Sequence, residues 1–235
     1  MNNARPQLVL PDPPRPVFQP RQALHPATVP MQIVAPMALT IPAHPNVAGN
    51  PWEPRNYLEI PGIDIDLAFL DRHDLEFSVR SAWLGILDNY YTRNHRYTHD
   101  VEARNKEGYS DILVRHWQQI PHPFAQRPPP FLIIQCKRVS YEGRNSEWFG
   151  AKDQLQNYFR AIYDRYNPTN PAGGGPIPRH IYGAIAIGRF VRFYWYNTRT
   201  RRLNMLEPRP ETTRWHVIDE SHYVHHVLDF IRNNH

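Results

Sequence analysis

The run Phe131-Leu-Ile-Ile-Gln-Cys-Lys-Arg-Val-Ser140 is apolar and strand-forming, yet it carries an amide and an ammonium. Bounded by Pro128-Pro129-Pro130 and by Ser140, it reads as a buried central strand. Side chains alternate along a strand, so Phe131, Ile133, Gln135, Lys137 and Val139 share one face, and Leu132, Ile134, Cys136 and Arg138 take the other. A lysine on such a strand costs several kcal/mol unless an anion or carboxylate meets it, or unless it lies at the strand's end and reaches water. A second intrusion is Asp111, beside Ile112-Leu113-Val114, because strands deplete aspartate. A carboxylate and an amide oxygen can hold a hard cation such as Mg²⁺, and an ammonium nearby can neutralise charge on a phosphoryl group. Two more pairs stand one helical turn apart. Gln154 and Tyr158 project from one face, and Glu76 lies near Arg80, either as a surface ion pair or as a carboxylate aimed at a neighbouring site.

The elements that must position these residues follow from periodicity. Leu75, Val79, Trp83, Ile86 and Tyr90 predict a helix from Asp71, with Asp71 or Asp74 as its N-cap. Alternation over Arg96 to Ala103 predicts a half-exposed strand, Asn105-Lys-Glu-Gly108 a turn, and Tyr109 to Trp117 the return strand that carries Asp111. The stretch Gln118 to Pro130 is a proline-rich loop, and Tyr141 to Ser146 is polar and expected to be mobile. A helix over Trp148 to Tyr166 follows, with Leu155, Tyr158, Phe159, Ile162 and Tyr166 inward, then a loop over Asn167 to Arg179. No Lys-Ser/Thr follows Gly173-Gly-Gly175, so a nucleotide-cradling loop is not supported. Strands over Ile181 to Ile187 and Val191 to Asn197 join at Gly188-Arg189, and a helix over Ser221 to Asn233 closes the chain on Tyr223, Val227, Phe230 and Ile231. His222, His225 and His226 have helical spacing that suits zinc but lack further ligands nearby.

Composition bounds the function classes. The 235 residues carry a formal charge of +5, and the 27 basic residues are mostly arginines, suited to bidentate contacts with phosphate or carboxylate. Arg189, Arg192, Arg199, Arg201, Arg202, Arg209 and Arg214 face only Glu207 and Glu211, either as a solvated face or as a rim that tracks phosphates. Cys136, the single cysteine, excludes an intramolecular disulfide and fits a reducing compartment. It falls on the strand face opposite Lys137, where a buried thiol is the default. With no apolar run long enough for a membrane span and no signal-peptide layout, the expectation is an intracellular protein, nuclear or cytoplasmic, without a membrane partner. Residues 1–54 hold thirteen prolines and no apolar period, which predicts a proline-rich disordered tail before a domain over residues 55–235. Pro11-Asp-Pro-Pro-Arg-Pro16 could offer that tail to a protein partner as a polyproline II ligand.

Ser110-Asp111-Ile-Leu-Val114, then Ile133-Ile-Gln-Cys-Lys137, then Gln154-Leu-Gln-Asn-Tyr158 fall in this order on a strand, the next strand and a helix. The chain here resembles the PD-(D/E)xK nuclease superfamily, and the third segment is similar to the Gln-x-x-x-Tyr helix of its RecB-like branch. The resemblance covers about Asp71 to Asn197. It implies a restriction-endonuclease-like α/β fold, a mixed β-sheet flanked by helices, and hydrolysis of DNA, less so RNA, with Mg²⁺ or Mn²⁺. Asp111, Gln135 and Lys137 would be catalytic, and Asp111, Gln135 and Glu76 would hold the metal. Gln154, Tyr158, Arg189 and Arg192 would meet nucleic acid. The departure is Gln135, since a carboxylate is commoner there and a neutral amide holds a hard dication less well. Two other readings stand beside this one: an inactive nuclease-like module that binds nucleic acid, and a protein-interaction scaffold in which Asp111 and Lys137 form only an ion pair.

Overall fold

In the computed structural model the described residues are 56–70, 72, 74–105, 108–117, 127–166, 178–206 and 213–235, and at 102–105 and 108–111 the description is of the backbone. All lie in the unit Met37–His235. The tail expected over residues 1–54, the possible cap Asp71, most of the loop before β3 and the Gly173-Gly-Gly175 segment fall outside the described residues.

The apolar runs assemble into one seven-stranded sheet. Helices α1 (Ile63–Phe69) and α2 (Glu76–Tyr90) precede β1 (Tyr97–Asn105), β2 (Gly108–His116) and β3 (Pro130–Lys137). Then come α3 (Asn145–Tyr166), β4 (His180–Ile187), β5 (Phe190–Asn197), β6 (Arg202–Met205), β7 (Trp215–His216) and α4 (Ser221–Asn234). The strand order is β1-β2-β3-β4-β5-β6, with β7 paired to β5 beyond the stretch that β6 occupies. Only β3 and β4 run parallel, because α3 carries the chain across the sheet between them; the other pairs are antiparallel. The protein is therefore α/β, with a mixed sheet flanked by helices.

Strand alternation divides the core in two. Leu132, Ile134 and Cys136 of β3 join Tyr182, Ala184 and Phe193 under α1, α2 and α4. Ile133 joins Ile181, Ile185, Tyr194 and Tyr196 under α3. Every residue of β3 from Pro130 to Cys136 is buried, as its unbroken apolar run requires for a strand covered on both faces. Gly183 of β4 lets α3 approach closely, since a Cβ there would lie 2.6 Å from Phe159 Cζ and 3.0 Å from Leu155 Cδ2.

The α2 stripe is as the spacing predicts, with Val79, Trp83, Ile86 and Tyr90 buried. Its start differs. Leu75 is the extended N-cap residue, exposed rather than part of the stripe, and its apolar side chain can offer no cap, while the Asp74 carboxylate accepts from Ser140 N at 2.7 Å. Residues 141–146 also depart from the mobile segment expected. A 3-10 turn over Val139–Tyr141 leads almost directly into α3, whose first residue is Asn145 rather than Trp148. That stretch is anchored from within: Trp148 Nε1 donates to the Glu142 carbonyl at 3.1 Å, and the Glu142 carboxylate accepts from Arg189 N at 2.7 Å. Gly188 makes this second contact feasible. Its φ of +55° turns β4 into β5, and a Cβ there would lie 2.2 Å from Glu142 Oε1. Among the described residues, no helix is long and apolar enough to cross a membrane.

Candidate functional site

The sheet brings the intruding polar residues to one end of β3. Ile112 of β2 pairs with Ile134 of β3, so continuing that antiparallel register by one step sets Asp111 opposite Gln135. Gln135 stands two residues after Ile133, on the face under α3, and at Asp111 the description is of the backbone.

Gln135 is fully buried, and its environment is specific. Its Nε2 donates to Gln154 Oε1, and Gln154 Nε2 donates to the Tyr158 hydroxyl at 2.7 Å. The i, i+4 spacing of Gln154 and Tyr158 on α3 makes the second bond, while packing of α3 on β3 makes the first. Among the described residues, Gln135 Oε1 has no hydrogen-bond partner. An unmet buried acceptor costs about 1–3 kcal/mol, so a donor or a cation meeting this oxygen would be stabilising.

Lys137 ends β3, partly exposed, and its Nζ lies 3.6 Å from Glu76 Oε2 in the first turn of α2. Both sequence readings of this lysine hold: it reaches the strand's end, and a carboxylate meets it there. Glu76 thus faces Lys137. Arg80, its neighbour one turn on, lies over the Phe77 ring at 5.4 Å. Next to this pair the Asp74 carboxyl is held below its ordinary value, first by hydrogen bonding to Ser140 and then by the charges of Arg138 and Arg144.

Two arginines expected to contact nucleic acid have other engagements. Arg192 is buried, stacks on Trp148 at 4.4 Å and donates from Nε to the Thr213 carbonyl at 3.1 Å, so it belongs to the packing of α3 on β5 and not to an exposed rim. Arg189 pairs with Glu142, its Nη2 3.1 Å from Oε2. Gln154 and Tyr158 likewise face inward, toward Gln135. Cys136 is buried on the opposite face, and His225 Nδ1 lies 2.8 Å from the Tyr90 hydroxyl.

The roles of Asp74 and Glu142 were not visible in the sequence, because both sit in polar stretches with no period and their partners come from distant segments. Among the described residues, no group of three or more His, Cys, Asp and Glu side chains is arranged to hold a metal ion. A cation at the end of β3 would instead use a mixed set of oxygens, and the unpaired Gln135 Oε1 suits a hard ion that takes oxygen ligands. Comparison with family models, with curated proteins and with solved structures finds no match to this chain.

Proposed function

We propose that this chain is a divalent-metal-dependent nuclease of the PD-(D/E)xK kind, with a restriction-endonuclease-like sheet, acting on DNA in preference to RNA. The observation that carries the reading is the buried Oε1 of Gln135, without a partner among the described residues and held in place through Gln154 and Tyr158, one residue beyond the paired Ile112–Ile134 whose other neighbour is Asp111. The order α2-β1-β2-β3-α3-β4 supports it, since each motif lies on the element the resemblance requires. Asp111 and Gln135 Oε1 would hold Mg²⁺ or Mn²⁺, with Glu76 adding negative charge to the neighbourhood through its contact with Lys137. When bound, such an ion neutralises charge on the phosphoryl oxygens and lowers the pKa of a coordinated water.

The chain's own groups do the rest. Lys137, a compact cation tethered by Glu76, stabilises charge that grows on the phosphoryl group as the bond breaks. Gln154 and Tyr158 position Gln135 instead of touching substrate, because their hydrogen bonds run inward. Incubating the purified chain with supercoiled plasmid and with single strands, in Mg²⁺, Mn²⁺ or EDTA, tests the reading. Cleavage that needs the metal and disappears in Lys137→Ala is expected; equal, metal-independent cleavage by both proteins would count against it.

The neutral amide at position 135 favours one rival, a nuclease-like module that binds nucleic acid without cutting it. In that case the chain retains oligonucleotides and leaves every substrate intact in both metals. A protein partner for the proline-rich residues 1–54 is compatible with either reading.

A further inference from the structure

We propose that Arg138 and Arg144, held on the ring of Tyr141, form a phosphate clamp that seats a nucleic-acid backbone at the end of β3. The proposal rests on the nuclease reading for its substrate class and replaces Arg189 and Arg192 as the backbone contacts. Arg138 directly follows Lys137, and both arginines are exposed. The Arg138 guanidinium lies 5.2 Å from the Tyr141 ring centre and that of Arg144 lies 5.1 Å from the same centre. Two cations gathered on one ring repel each other, so the arrangement is most favourable when an anion lies between or across them.

Among the described residues no nearby acid pairs directly with this charge, although the Asp74 carboxyl, hydrogen-bonded to Ser140, feels both guanidinium charges from beyond ion-pair distance. Glu142 is turned to Arg189, Asp74 to the Ser140 backbone, and Glu76 to Lys137. Glu147, in the first turn of α3, is the remaining acid close by in sequence. Other arginines rest singly on tyrosines, Arg165 on Tyr166 and Arg201 on Tyr163. Arg192 and Arg214 also share a ring, that of Trp148, where Arg192 is buried; among the described residues the exposed pair beside Lys137 is the one on Tyr141. The planar guanidinium forks match phosphate oxygens bidentately, and the ring limits the freedom they would lose on binding.

The test is fluorescence anisotropy with a labelled single strand and a labelled duplex in EDTA, over a series of salt concentrations, with cleavage in Mn²⁺ scored separately. The wild type should bind, and Arg138→Ala/Arg144→Ala should weaken binding roughly tenfold or more at low salt and flatten the log–log salt slope by about 1.4–1.8, as for two lost phosphate contacts. Tyr141→Phe should bind as the wild type, Tyr141→Leu more weakly, and Arg199→Ala/Arg202→Ala, on the β5–β6 turn, nearly as the wild type. Melting temperatures check that each variant folds. An unchanged slope in the Arg138/Arg144 variant, an equal loss in the Arg199/Arg202 variant, or a wild type that binds neither probe overturns the clamp. Binding that needs the clamp without any cleavage by the wild type refutes the nuclease reading alone; metal-dependent cleavage by an Arg138→Ala/Arg144→Ala protein that binds as the wild type refutes the clamp alone.

Discussion

Gln135→Glu separates a site that awaits a cation from one that is merely polar. The position is fully buried, and the neighbouring amide can turn so that Gln154 Nε2 donates to the new carboxylate while the Tyr158 hydroxyl donates to Gln154 Oε1. Hydrogen bonding therefore survives, and the change is mainly one of charge. A buried ion without a partner costs several kcal/mol. Lys137 lies two residues on along the same face, about 7 Å away, which at an effective dielectric near 20 returns at most about 2.4 kcal/mol, since Glu76 already offsets part of its charge. A net loss of about 2–3 kcal/mol corresponds to a fall in Tm of about 4–12 °C for a domain of this size. Metal that binds the folded site at a hundred times its Kd stabilises by about 2.7 kcal/mol, enough to restore most of the loss. Thermal shift of both proteins in EDTA and across a Mn²⁺ or Mg²⁺ titration reads this directly. The variant should melt lower in EDTA and recover with metal, and the wild type should gain less. A variant whose Tm falls and does not respond to either metal would refute the idea that Asp111 and position 135 form a cation site.

Two other outcomes follow from the packing and the half-buried imidazoles. Gly183→Ala places a Cβ against Phe159 and Leu155 and should cost about 1–3 kcal/mol of overpacking, seen as a lower midpoint in urea with little change in slope. His99, His116, His180 and His235 are all held below the ordinary histidine value of 6.5, chiefly by burial. As pH falls through 6.5 the unfolded chain takes up protons that the folded chain refuses, so stability should be highest above that pH and decline steadily below it. His235→Phe, which keeps the stack on Phe131, should flatten that decline in melts taken from pH 7.5 to 5, and an identical pH profile would count against the assignment.

What could be read in the sequence was whatever has a period or breaks one. The stripe of α2, the inward face of α3 and the unbroken run of β3 are periodic signals, and Asp111, Gln135 and Lys137 stood out as polar interruptions of strands. Helix α1 was not assigned because Ile63-Asp-Ile-Asp-Leu67 alternates as a strand would, and seven residues are too few to show the helical period. Strands β6 and β7 are short, at four and two residues, and exist because the edge of β5 is there to pair with them. The spacing of Gln154 and Tyr158 was visible, but their inward partner was not, since it depends on how α3 crosses β3. Arg192 was misplaced on the ordinary expectation that arginines are exposed. The unbroken aromatic run after it was the available signal, since Tyr194 and Tyr196 share its face and are buried, and Trp148, which covers its charge, comes from a different element.

The central claim is that Asp111, Gln135 and Lys137 make a cleavage site and not only a binding surface. One labelled DNA strand, followed for both retention and cutting with wild type and Asp111→Ala in Mn²⁺, tests it most directly. Asp111→Ala should lose cleavage while holding the strand as tightly as the wild type, or slightly more so through reduced repulsion. A wild type that holds the strand and never cuts it, or an Asp111→Ala protein that cuts at the wild-type rate, would contradict it.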